Sequence, residues 1–289
     1  MSFSLYAGTL SSGILTGLVY GLAAMGLSVI FGVVRLVNFA HGEMMVLGMF
    51  AAVLLATAWG IDPLLSALPV AAVLFAAGYV LQRGLLNRFI DRPDHQQFIL
   101  LLGVAMILVN SLMMVFGPDA RSTNVAYGFD AFFIGDITLD KTRVYAATGA
   151  LIVAAALYAF FRFSRTGIAI RACADNQLGA AVVGLNVKGL YAITFGIGSA
   201  VVGIAGCLMS LVIDVRPQLA PEYTLLSFII VIVGGLGSMG GALLGGVLIG
   251  VSEALAGILI DPSRKQMVSY ALLILVLLVR PQGLLGKRA

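Results

Sequence analysis

The sequence predicts an all-α, polytopic bundle of about eight to ten membrane elements, with the N-terminus outside and the C-terminus cytoplasmic. Three observations carry that prediction. Of 289 residues, 61% are hydrophobic and only 10% charged, whereas a soluble domain carries roughly a quarter charged residues. The charges cluster between apolar runs, each long enough to cross a bilayer at about 20 residues per span. The 35 glycines fall within those runs at helical spacing, where small residues let helix backbones approach closely in lipid.

The apolar runs, in order, cover roughly 8–34, 42–59, 64–81, 97–116, 144–161, 190–212, 224–239, 243–260 and 267–279. The first is long for one straight span, so it tilts, breaks or continues past the bilayer surface. It carries Gly13, Gly17 and Gly21 four residues apart. Near the other end, Gly237, Gly241 and Gly245 repeat that spacing, and so do Gly246, Gly250 and Ala254. In water each glycine would weaken a helix by about 1 kcal/mol against alanine; in lipid the same pattern reads as a packing face. The stretch Val231–Leu255 reads either as two short helices meeting at Gly240–Gly241 or as one re-entrant element. No linker separates soluble domains, so residues 1–289 read as a single transmembrane domain.

Orientation follows from lysine and arginine in the loops. Arg83, Arg88 and Arg92, then Arg162, Arg165, Arg171 and Lys188, then Arg280, Lys287 and Arg288 mark three cytoplasmic segments. The segment 117–143 mixes Asp119, Asp130, Asp136 and Asp140 with Arg121, Lys141 and Arg143 and belongs outside, together with 213–223 and 261–266. The assignment amounts to nine crossings of a bacterial inner membrane.

Several function classes are excluded or disfavoured. The net charge of +4 and pI near 9.2 do not point to nucleic acid, because the basic residues sit in short loops and are not interleaved with aromatics. Cys173 and Cys207 are too far apart for a metal motif, and one lies in a loop and the other in a span, so neither a metal nor a disulfide is expected. The N-terminus lacks a basic n-region, which disfavours a cleaved signal. With two histidines, His41 and His95, no HExxH and no phosphate-binding GxxxxGK[ST] loop, neither catalysis nor ATP binding is expected in this chain. GLGSMGG lacks a histidine partner and reads as packing.

Three constellations remain. The segment 162–189, RFSRTGIAIRACADNQLGAAVVGLNVKG, mixes basic residues with Ile168, Ile170, Val182, Val183 and Leu185. It reads as an amphipathic helix on the membrane surface or as a docking element for a soluble partner. Gly179, Ala180, Ala181 and Gly184, flanked by Arg171 and Asp175, favour docking because small residues permit close approach. The second constellation is RLVNFAHGEMM, where Arg35, Asn38, His41 and Glu43 interrupt apolar sequence. On a helix Arg35 would neighbour Asn38, and Asn38 would neighbour His41. The segment is an interfacial turn, or a broken helix whose polar groups line a translocation pathway. The third is Glu253, deep in GGVLIGVSEALAGILI, expected to be neutral or hydrogen-bonded to a neighbouring helix. Asn110 and Ser111 are weaker members of the same class.

Tyr20–Gly48, Arg165–Val187, Val231–Leu255 and the closing RPQGLLG together resemble the permease subunits of branched-chain amino-acid ABC importers of the LivH type. The resemblance covers nearly the whole chain with its motifs in order. It implies a second, LivM-like permease subunit, two ABC ATPase subunits that use ATP and Mg²⁺, and an extracytoplasmic solute-binding protein. It makes 165–187 the coupling segment. Generic ABC importers carry Glu-Ala-Ala followed by glycine there; this chain has Leu178-Gly179-Ala180 and then Gly184, which removes the basis for an ion pair to the ATPase at that position. The same architecture with urea, short amides or other amino acids as cargo is the nearest rival. A self-sufficient carrier or channel using Glu253 and His41 is the rival from another class.

Overall fold

The computed structural model describes residues 3–90, 92–135, 137–261 and 264–286. Asp136, Lys287 and Arg288, assigned above to loops, lie outside the described residues. Each of the nine apolar runs contains one helix: α1 (Phe3–Val34), α2 (His41–Trp59), α3 (Pro63–Gly84), α4 (Asp94–Phe116), α5 (Lys141–Phe163), α8 (Val187–Met209), α9 (Leu219–Gly234), α10 (Met239–Leu259) and α11 (Lys265–Val279). Two short helices, α6 (Arg165–Asp175) and α7 (Gln177–Val182), lie between α5 and α8. Among the described residues, seven helices are long and apolar enough to cross a membrane; α9 and α11 are shorter apolar helices.

Helix starts follow local chemistry. Asp62 accepts from Leu64 N–H at 2.8 Å, with Pro63 at the first position of α3. Ser164, Asn176, Asn186 and Ser238 cap α6, α7, α8 and α10 in the same way. α2 stops at Gly60, which adopts the left-handed conformation (φ 64°) and donates back to Ala56.

α1 is continuous over 32 residues, about 48 Å at 1.5 Å per residue, longer than a hydrocarbon core of roughly 30 Å. It runs through the middle of the bundle and packs on α10, α8, α5 and α9, while α3 lies along α8. The α1–α10 contact is backbone on backbone. A Cβ added at Gly17 would sit 2.7 Å from Gly246 O and from Val247 Cα, and one at Gly21 would sit 2.9 Å from Leu243 Cα. On Gly13 it would meet Gly250 O at 2.9 Å.

The structure corrects three expectations. The Val231–Leu255 stretch breaks at Gly235–Ser238, not at Gly240–Gly241; Gly240 and Gly241 lie in the first turn of α10. Gly237 therefore sits in a turn at φ 77°, with Gly32 Cα 3.3 Å from where its Cβ would be. Gly241 and Gly245 face Gly234 and Ile230 of α9, while Gly246 and Gly250 face α1. α10 thus carries two glycine faces, which the single spacing of four concealed.

The loop 117–143, for which the sequence predicted only a side, holds a two-stranded antiparallel hairpin, β1 (Ala131–Ile134) and β2 (Ile137–Asp140), with Ala131 opposite Asp140. Its turn contains Gly135 at φ 61°. Segment 162–189 forms two helices, not one, because Asn176 leaves helical geometry (φ −148°, ψ 98°) and restarts the chain as a cap. Finally, residues 35–38 are not helical, so Arg35, Asn38 and His41 are not helical neighbours.

Loop contacts define two ends of the bundle. At one, Arg121 pairs with Val215, Tyr127 O–H donates to Asp62 at 2.8 Å, and Thr123 O–H donates to Ser210 O at 2.7 Å. At the other, α6 packs against α1 and α5, and a cavity of about 380 Å³ is lined by Val33, Arg35, Gln97 and Asn176.

Candidate functional site

The polar α1–α2 turn folds inward. Arg35 reverses the chain with a left-handed φ of 56° and stays exposed. Asn38 Oδ1 then accepts from Ala40 N–H at 3.1 Å, an Asx turn that sets up the start of α2. His41 Nε2 lies 2.9 Å from Ala23 O on α1. A carbonyl only accepts, so Nε2 carries the hydrogen. Thr224 of α9 closes the group: its Oγ1 accepts from Gly42 N–H at 2.9 Å and donates to Glu43 Oε2 at 3.0 Å. Asn38 and His41 are fully buried, and Glu43 and Thr224 nearly so. Gly42 makes this possible, because a Cβ there would run into Ala220 O and Thr224. Asn38 Nδ2 and His41 Nδ1 are left without a protein partner.

Thr224 had no signal in the sequence. A threonine inside an apolar run is common, and its partners lie 181 and 182 residues away.

Glu253 is placed elsewhere, in a cavity of about 320 Å³ between α1, α9, α10 and α11. Its Oε1 accepts from Ser269 O–H at 2.7 Å, and Tyr20 is a second hydrogen-bonding partner. Glu222 and Lys265 stand at the exposed rim, where Gln266 donates to Glu222 at 3.3 Å. Tyr20 meets Tyr223 edge-on, with ring centroids 6.3 Å apart. Tyr20 lies three residues before Ala23 on α1 and Tyr223 directly precedes Thr224 on α9, so the tyrosine pair connects the Glu253 cavity along the chain to the His41–Glu43–Thr224 group. The two polar sites are neighbours across one turn of α1. Asn110 and Ser111 bond carbonyls of their own helix, Met106 O and Ile107 O, both at 2.7 Å.

The α6–α7 unit is anchored by part of its apolar set. Ile170, Cys173 and Ala180 are buried against the bundle, and burial pushes the Cys173 thiol above its ordinary pKa. Leu178, Val182 and Val183 face away, each at least 76% exposed. Leu178 and Val182, four apart, share one face of α7, and Val183 follows as its C-cap. Arg171, Asp175 and Ala181 are exposed beside them. Gly179 accommodates the Asn176 cap, and Gly184 ends the unit at φ 86°, with open space around it.

The sequence matches the family described as the branched-chain amino acid transport system, permease component, over residues 9–277. The chain belongs to that family. It is 32% identical to LivH of Escherichia coli K12, a "high-affinity branched-chain amino acid transport system permease protein", over 96% of this chain and 94% of that one. It is 30% identical to BraD of Pseudomonas aeruginosa, covering 98% and 96%, and 27% identical to a probable LivH of Methanocaldococcus jannaschii, covering 92% and 88%. This permease is a multi-pass protein of the inner membrane. As a permease component it works within a transport system and is not an enzyme.

Proposed function

We propose that this permease is the membrane gate of an ATP-driven importer of branched-chain amino acids, moved by partner ATPases through α6–α7. Support for the cargo comes from its relatives, which are named for branched-chain amino acid transport. The observation that carries the mechanism is the exposure of Leu178, Val182 and Val183, with Ile168 half-exposed, on a unit anchored to the bundle through Gly167, Ile170, Cys173 and Ala180. Large apolar side chains left in water beside a basic membrane surface fit a protein partner better than solvent. The sequence carries no GxxxxGK[ST] phosphate-binding loop, and on this reading the partner ATPases use the ATP and Mg²⁺. A LivM-like second permease and an extracytoplasmic binding protein complete the assembly.

The α6–α7 end carries Arg83, Arg88, Arg162, Arg165, Arg171 and Lys188, which by the positive-inside rule makes it cytoplasmic and the hairpin end extracytoplasmic. The chain then crosses nine times. In the transport cycle, closure of the ATPases would push α6–α7. The motion would pass to α1, α5 and α8, which contact α6, and rock the helices about their glycine contacts. Of the expected pathway groups, Glu253 lines a cavity a solute could enter, whereas Asn38, His41 and Glu43 are buried and would meet solute only when the helices move apart.

The test is Leu178→Glu with Val182→Glu in the complete transporter. Both positions are solvent-exposed, so the bundle should assemble normally while leucine uptake falls to background and ATP hydrolysis no longer responds to loaded binding protein. Wild-type uptake by this variant would reject α6–α7 as the drive point. Transport of urea without leucine by the wild type would reject the cargo.

A further inference from the structure

The Glu253 cavity has a composition that no packing role requires. Residues 219, 223, 226 and 229 form one face of α9, which supplies Leu219, Leu226 and Ile229 as an apolar wall. The charges are Glu253 of α10, half-buried, and Lys265 of α11 and Glu222 of α9 at the exposed rim, the last accepting from Gln266. Two hydroxyls, from Ser269 and Tyr20, orient the Glu253 carboxylate, yet among the described residues it forms no ion pair. Its attraction to Lys265 acts through space, and the Lys265 chain instead lies against Gly257, with Cε 2.8 Å from where a Cβ would be. A half-buried carboxylate fixed by neutral donors retains unused acceptor sites. The volume of about 320 Å³ falls at the lower end of the roughly 300–1,000 Å³ found for small-molecule pockets.

We infer that this cavity is a binding site for a zwitterionic, aliphatic α-amino acid. Glu253 takes the ammonium, Lys265 attracts the carboxylate, and the Leu226–Ile229 wall holds the branched side chain. The inference rests on the transport reading above and adds to it a site within the permease, separate from the binding protein. Tyr20 and Tyr223 line it, each within one turn along its helix of a partner of the His41–Glu43–Thr224 group.

The test uses the complete transporter in lipid nanodiscs without binding protein, carrying Gln266→Cys at the exposed rim. Modification of this cysteine by a maleimide is followed by mass, and the buried Cys173 and Cys207 contribute little background. Leucine should slow modification in a saturable way. 4-Methylpentanoate, which lacks the ammonium, should not; isoamylamine, which lacks the carboxylate, should act only at higher concentration. Glu253→Gln should raise the leucine concentration for half-protection by roughly tenfold or more, the scale of a lost charge-assisted hydrogen bond. Lys265→Gln should abolish the preference for leucine over isoamylamine. Equal protection by leucine and 4-methylpentanoate, or no protection by leucine, would overturn the site. ATP-driven leucine uptake by the same preparation with binding protein is scored separately. Intact uptake without protection sinks only this site, whereas absent uptake sinks the transport reading.

Discussion

Thr224 binds two parts of α2 at once, the Gly42 amide and the Glu43 carboxyl. Thr224→Val keeps the shape and removes both partners, leaving a buried donor and a buried acid unmatched. The expected loss is about 1–3 kcal/mol of stability, read as a lower Tm of the purified transporter; Thr224→Ser should recover most of it, and an unchanged Tm for the valine variant would contradict the assignment. Glu43→Gln keeps an acceptor for Thr224 O–H and should be far milder than Glu43→Leu. The sequence flagged Asn38, His41, Glu43 and Glu253 because polar groups within apolar runs stand out. Their partners Ala23, Tyr20, Thr224 and Ser269 gave no such signal, since a carbonyl, a tyrosine or a hydroxyl is unremarkable until a distant helix is brought against it.

At the scale of elements, hydropathy located every long helix because a bilayer demands continuous apolar length. It failed where short-range geometry decides. The hairpin has strands of only four residues, too short to show alternation amid charged loop sequence. The turn at Gly235–Ser238 was hidden because glycine both breaks helices and packs them. Contacts now separate these uses. Gly8 of α1 has open space around it, whereas Gly17 touches α10 backbone, so Gly17→Leu should abolish recovery of assembled transporter on size-exclusion chromatography and Gly8→Leu should not.

The closing segment has its own role. Leu284 and Leu285 N–H donate to Val233 O and Gly234 O at 2.8 and 2.9 Å, satisfying carbonyls at the end of α9 that the helix cannot pair itself. Gly283, at φ 79°, lies where a Cβ would come within 2.6 Å of Gly235 Cα. Gly283→Val should therefore release the clamp and speed amide hydrogen exchange at Gly235–Ser238. Unchanged exchange there would show that the clamp does not hold the turn.

For the whole molecule, two features belong together: a bundle drawn tight by bare backbone contacts about α1, and a small two-helix unit that roots itself in that bundle while leaving Ile168, Leu178, Val182 and Val183 exposed. On the proposed function, α6–α7 is the point at which partner ATPases move this body. The most direct measurement compares leucine flux into proteoliposomes containing this chain alone, under imposed proton and sodium gradients, with flux into proteoliposomes containing the full set of permeases, ATPases and binding protein supplied with ATP. The account predicts uptake only in the second preparation, dependent on ATP and indifferent to the gradients. Saturable, gradient-driven leucine uptake by the chain alone would contradict it.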